Sequence, residues 1–247
     1  MRRNVVTRVT ARLAASIAAL LAVAAPAFAG DRALIDFIGF SEDGQYFAFE
    51  EFGVQDGSGF PYSSIYVLDL AADKWASGTP IRVRIDDEVA TLQQARRDAA
   101  DKAASIIDEL GIDTPTDLIA VNADGEMGDG TRISFGQPGY APNEVQGEFS
   151  LELSTFPAKS PEDCEGYMGE PATGIVLTMT DSGDETEIYR DDETLPKSRG
   201  CPVVYRIFAV VAPQYTVPPA AHVAIIATYP FGFEGPDRRF IAIPLSK

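Results

Sequence analysis

Along most of the chain, apolar positions alternate with polar ones at a period of two, or gather in short runs between Gly, Asp and Ser clusters. That is the pattern of β-strands. Leu34 to Phe40 leads into the turn Ser41-Glu42-Asp43-Gly44, and the aromatic-rich Tyr46 to Glu50 follows. A Gly-rich loop, Gln55-Asp56-Gly57-Ser58-Gly59-Phe60-Pro61, precedes Ile65 to Leu70, and Pro80 to Arg84 closes a set of four. Gly-rich turns between such runs are hairpin signals, so the four predict an antiparallel meander. Further strands are expected at Leu118–Val121, Arg132–Phe135 and the strictly alternating Gly147–Ser154. Gly174–Thr180 and Thr186–Arg190 predict a hairpin around Asp181-Ser182-Gly183-Asp184. Val203–Val211, His222–Tyr229 and Arg239–Pro244 have the most buried pattern.

One stretch changes period. Between about 87 and 110, Val89, Leu92, Ala99, Ala103, Ile106 and Leu110 fall on one stripe at helical spacing. Asp86 or Asp87 can cap its start, and Gly111 stands just past its end. The small alanines suit close approach to a sheet, so the stripe reads as core packing rather than a partner-binding face. Arg96 at its margin must snorkel or pair with an acid. The expected fold class is α+β, predominantly antiparallel β, with about a dozen strands and one long amphipathic helix.

The N-terminus has a different pattern. Arg2, Arg3, Arg8 and Arg12 stand without an acid, and Leu13 to Ala25 is almost wholly apolar. Pro26 breaks the run, and Ala27-Phe28-Ala29 offers small residues at the two positions a signal peptidase reads. The apolar run is too short to cross about 30 Å of hydrocarbon as a helix. Residues 1–29 therefore predict a cleaved signal peptide, with no membrane span after cleavage and a periplasmic or secreted destination. What remains, 30–247, is expected to be a single β-rich domain, long enough for a real core.

Charge narrows the range of partners. The chain carries a formal −17, and loss of the signal's four arginines takes this to −21. Such a protein repels nucleic acid and anionic lipid surfaces. Cys164 and Cys201 are the only cysteines. In an exported protein they predict one structural disulfide. With a single histidine, His222, and no C-x-x-C, a zinc site has no support.

Chemistry is sparse. No nucleophile elbow, Walker loop or dinucleotide fingerprint is present, and no cofactor or metal is expected. His222 opens an apolar strand and reads as structural. Asn122-Ala123-Asp124-Gly125-Glu126 and Asp181-Ser182-Gly183-Asp184-Glu185 faintly resemble calcium loops but lack the regular acidic ladder, and read as hairpin turns. The candidates for catalysis are carboxylates near aromatics: Asp56 in the Gly-rich loop, with Glu234 and Asp237 in a second loop, near Glu50, Glu51 and Tyr62. Paired carboxylates could serve a glycosidase-like reaction or hold a hard cation. The same residues are also ordinary turn chemistry, their acids solvated or paired with Arg238 and Arg239.

The first meander resembles a single blade of a TolB-type propeller, but only one such unit is present where a propeller needs four or more. Four segments carry a wider resemblance: Gly39–Glu51, Gly53–Tyr62, Leu195–Pro202 and Gly232–Phe240. Together the chain resembles the predicted secreted bacterial proteins grouped as domain of unknown function 2259. The resemblance implies export and carries over no catalytic residue. The reading is an exported, non-enzymatic binding, interaction or structural domain whose partner is an unknown envelope protein, peptide or glycan. A glycan hydrolase acting through acidic residues and a calcium-assisted binding module remain the alternatives.

Overall fold

The structure is a computed structural model describing residues 30–214, 216, 220–232 and 235–246. The expected signal peptide, residues 1–29, and Glu234 lie outside the described residues. The strands form three antiparallel sheets. The first holds β1 (Leu34–Ser41), β2 (Tyr46–Val54), β3 (Pro61–Asp69), β4 (Lys74–Trp75), β5 (Ile81–Arg84) and β6 (Ile112–Thr114). Its order is β4-β3-β2-β1-β6, and β5 pairs with the N-terminal half of β3. The expected meander is thus present in chain order. The second sheet holds β8 (Arg132–Pro138), β9 (Val145–Ala158), β10 (Ala172–Asp181) and β11 (Asp184–Arg190), ordered β11-β10-β9-β8. The third holds β7 (Thr116–Val121), β12 (Pro202–Pro213), β13 (Val223–Pro230) and β14 (Arg239–Pro244), ordered β14-β13-β12-β7.

The third sheet is the middle layer. On β13, Val223, Ile225 and Ala227 pack with Phe40, Phe47 and Phe49 of the first sheet. The intervening Ala224 and Ile226 pack with Leu151, Ile175 and Leu177 of the second. A strand buried on both faces has no polar face, which is why this segment reads as a continuous apolar run.

Helix α1 (Leu92–Glu109) covers the outer face of the first sheet, setting Ala95, Ala99 and Ala103 against Ile65 and Val83. It starts five residues later than the periodicity predicts. Thr91 is the cap, its Oγ1 accepting the Gln94 N–H at 3.2 Å. Neither expected aspartate caps it, because each is engaged elsewhere. Asp87 accepts the Val89 N–H at 3.0 Å within a turn, and Asp86 pairs with Arg84 at 2.6 Å. Val89 consequently lies before the helix and is exposed. Gly111 follows the helix at φ +61, as its C-terminal position predicts.

Arg96 fastens α1 to the sheet. Its Nη2 donates to Glu50 Oε2 at 2.6 Å, its Nε reaches both Glu50 oxygens, and it also pairs with Asp36. The guanidinium lies 3.8 Å from the Phe52 ring centroid. Cys164, at the start of the short helix α2 (Cys164–Met168), is bonded to Cys201, as expected. The disulfide ties the β9–β10 connection to the start of β12.

Candidate binding cleft

Beyond the Phe40–Phe47–Phe49 core, toward β3 and β5, apolar contact between the first and third sheets gives way to a cleft of about 840 Å³. Period-two alternation on β3 points Tyr62, Ser64, Tyr66 and Leu68 to this side, while Ile65 and Val67 turn away from it. On β5, Arg82, Val83 and Arg84 line it in succession, and β4 adds Lys74 and Trp75. The opposite walls come from β14, from Tyr189 of β11, and from Pro196, Ser198 and Arg199 around a 3₁₀ turn at Lys197–Arg199.

The aromatic wall is continuous. Tyr66 stacks on Phe49 with centroids 4.9 Å apart and meets Trp75 at 5.1 Å, and the Arg82 guanidinium lies 5.9 Å from the Tyr66 ring centroid. At one end sits Glu51, only 3% exposed. Its Oε2 accepts the Phe240 N–H at 2.8 Å, and Oε1 lies 3.8 Å from Arg239 Nε. Burial raises its pKa from 4.5 to about 7, with Arg239 and the Phe240 N–H opposing. Burial, helped by the charge of Glu51, pushes Tyr66 up to about 12. Arg239 donates to Asp31 at 2.9 Å and to the Tyr62 hydroxyl at 3.1 Å, and lies 3.6 Å from Asp237.

At the other end Arg199 donates to Asp191 and to the Tyr189 hydroxyl, each at 3.1 Å. Tyr189 donates to Asp191 at 2.7 Å, and Asp191 also accepts the Ile175 N–H at 3.0 Å. Both members of this ion pair are buried. Their satisfied network fixes the 3₁₀ turn against the second sheet.

The lining reverses the charge of the chain. Lys74, Arg82, Arg84, Arg199 and Arg239 face three acids, Glu51, Asp73 and Asp86, in a protein with 20 basic and 37 acidic residues. Lys74 and Arg82 make no ion pair among the described residues.

The two acidic loops singled out from sequence do meet, but through Asp31. Its Oδ1 accepts the Asp56 N–H at 2.5 Å, and its own N–H donates to Asp237 Oδ1 at 2.8 Å. Asp56 and Asp237 do not line the cleft, although their neighbours Gln55 and Arg239 do. Both serve to anchor residues 31–33, and desolvation raises the pKa of Asp237. Asp124 is occupied by Arg238, at 2.6 Å, and by Arg32. Asp181–Asp184 closes the β10–β11 hairpin through Ser182 and Gly183, both at positive φ. His222 is fully buried, with Nδ1 2.9 Å from the Ala220 carbonyl and its pKa lowered by desolvation. Sequence reasoning missed Asp31, Tyr66, Trp75, Arg82, Tyr189 and Arg199. The one available signal was the alternation of Tyr62-Ser63-Ser64-Ile65-Tyr66 and of Ile81-Arg82-Val83-Arg84, which assigns a polar face to two adjacent strands.

The profile of domain of unknown function 2259, described as a predicted secreted protein, matches residues 48–246. The chain belongs to this family. The matched span of this family member runs from β2 through β14 and contains every cleft-lining residue. No curated protein matches the chain. Among its described residues, no helix is long and apolar enough to cross a membrane.

Proposed function

We propose that this member of the domain of unknown function 2259 family is an exported binding module. Its leader, residues 1–29, directs it to the periplasm, and the domain at 30–247 holds its ligand in the cleft. The observation that carries this reading is the reversal of charge: a basic, aromatic-walled cleft in a strongly acidic chain. Tyr62, Tyr66 and Trp75 offer flat apolar surface, and Lys74 and Arg82 offer cations for an anionic group.

Hydrolysis is the second reading, and a specific residue favours it. Glu51, with a pKa near 7, suits a proton donor. Both its oxygens already face internal partners, however, and the other lining carboxylates, Asp73 and Asp86, sit on exposed segments.

Trp75 is the chain's single tryptophan, so its fluorescence reports cleft occupancy. Fractionated envelope extract should yield an anionic ligand that shifts this emission, and Arg82→Ala should weaken its binding at least tenfold. Emission indifferent to every fraction would overturn the binding reading. Turnover on a glycan panel that Glu51→Gln abolishes would replace it with the hydrolase.

A further inference from the structure

The cleft offers more than side chains. Five consecutive residues of β14, Arg239 to Ile243, line it. Side chains on one face of a strand alternate, so an unbroken run means that the open edge of the strand faces the cleft. β14 ends its sheet, with β13 on its other side.

Alternation also tells which backbone groups point outward. Leu245 N–H donates inward to the His222 carbonyl at the β13 end. Arg238 N–H donates outward to the Asp31 carbonyl, and the Arg238 carbonyl accepts from Ala33 N–H. Even-numbered residues therefore present their N–H and C=O groups to the open side. Residues 31–33 occupy that side at Arg238, Glu51 takes the Phe240 N–H, and Pro244 has none to offer. The Phe240 carbonyl, both backbone groups of Ala242 and the Pro244 carbonyl are left without a partner among the described residues.

We propose that an extended acidic peptide binds in the cleft as an added strand on β14, pairing with Ala242. The inference rests on the binding reading above. The segment facing the open edge, Phe240 to Pro244, accommodates about five residues at roughly 3.3 Å each. An added strand would lie between two walls. Phe240 and Ala242 face the first sheet, and Ile241 and Ile243 face the second. Alternate peptide side chains would then meet Tyr66 and Trp75 on one side and Tyr189 on the other. The excess of lining cations, with Lys74 and Arg82 lacking ion pairs, selects acidic side chains. Residues 31–33 already use this edge in the same manner, through the Arg32–Arg238 bridge.

The test is selection of a displayed random octapeptide library on the mature protein, with tetragalacturonate as a parallel anionic glycan probe. The expected result is enriched peptides with more Asp and Glu than Lys and Arg. The best of them, once synthesised, should slow hydrogen exchange of the Ala242 amide at least tenfold and shift Trp75 emission. Ala242→Pro removes only an outward N–H and should weaken the peptide at least tenfold. If that variant fails to fold, the wild-type exchange measurement decides. Failure to enrich any peptide over bare matrix overturns the proposal, as do binders that leave Ala242 exchange unchanged. In either case a tetragalacturonate-induced shift of Trp75 emission would leave the binding cleft standing, with a glycan as its ligand. If no peptide, tetragalacturonate or envelope fraction moves that emission, the binding reading falls too.

Discussion

Replacing Glu51 with glutamine should make the protein more stable in alkali while leaving it nearly unchanged in acid. In the folded state the carboxyl titrates near 7 instead of 4.5, because burial disfavours its charge more than Arg239 and the Phe240 N–H favour it. Between those values the folded chain holds a proton that the unfolded chain has released. Glu51 therefore favours folding below the unfolded pKa, and that contribution is lost as pH rises through about 7. At about 1.4 kcal/mol per pH unit, the interval is worth about 3 kcal/mol. Glutamine resembles the protonated acid in shape and can still accept from Phe240. Urea denaturation of both proteins at pH 5 and pH 8 measures the effect, and contributions from His222 cancel in the difference. The variant is expected to lead by a little under ~1 kcal/mol at pH 5 and by about 3 kcal/mol at pH 8. Parallel pH profiles would refute the reasoning, since they would mean that Glu51 ionises in place at no cost.

Arg96→Met should destabilise by about 2–4 kcal/mol in urea denaturation, because it leaves the buried Glu50 carboxylate without its cation. Adding Glu50→Gln should recover most of that loss. Changing Cys164 and Cys201 together to serine should cost about 4 kcal/mol, the chain-entropy value for a loop of 37 residues. Reductant should lower the wild type by a similar amount and leave the double variant unaffected.

Legibility in the sequence followed the range of the interaction. Hairpin turns and period-two strands are local, and the meander, the β10–β11 hairpin and the helix are found where the pattern places them. The start of the helix was less legible because Asp86, Asp87 and Thr91 are all good caps, and only their competing partners separate them. The place of Arg96 beside an apolar stripe left snorkelling or pairing with an acid open, and only the fold decides for pairing, with Glu50 and Asp36. The cleft was hidden for a different reason. Tyr66, Trp75 and Arg82 meet β14 and the 197–199 turn across more than a hundred residues of chain, and locally they resemble the solvent face of any edge strand. Asp31, which joins the two acidic loops, sits before the first strand, in a position no periodicity marks.

Glu50 and Glu51 show what a period of two can do with identical neighbours. Glu50 turns toward α1, accepts from Ser63 at 2.7 Å and holds Arg96. Glu51 turns toward the third sheet and holds the edge of β14. That second contact bears on why an open edge can be kept at all. A long bare edge is a template for pairing with another chain. Here residues 31–33 cover one end, Glu51 takes the next outward N–H, and Pro244 withholds the last. Among the described residues, the Phe240 carbonyl, the two groups of Ala242 and the Pro244 carbonyl remain open, between walls set by Tyr66, Trp75 and Tyr189. So few open groups leave little length of edge for pairing with a second sheet. The acid that burial disfavours thus limits the length of the edge, so its cost in alkali and the shortness of the open edge have one physical origin.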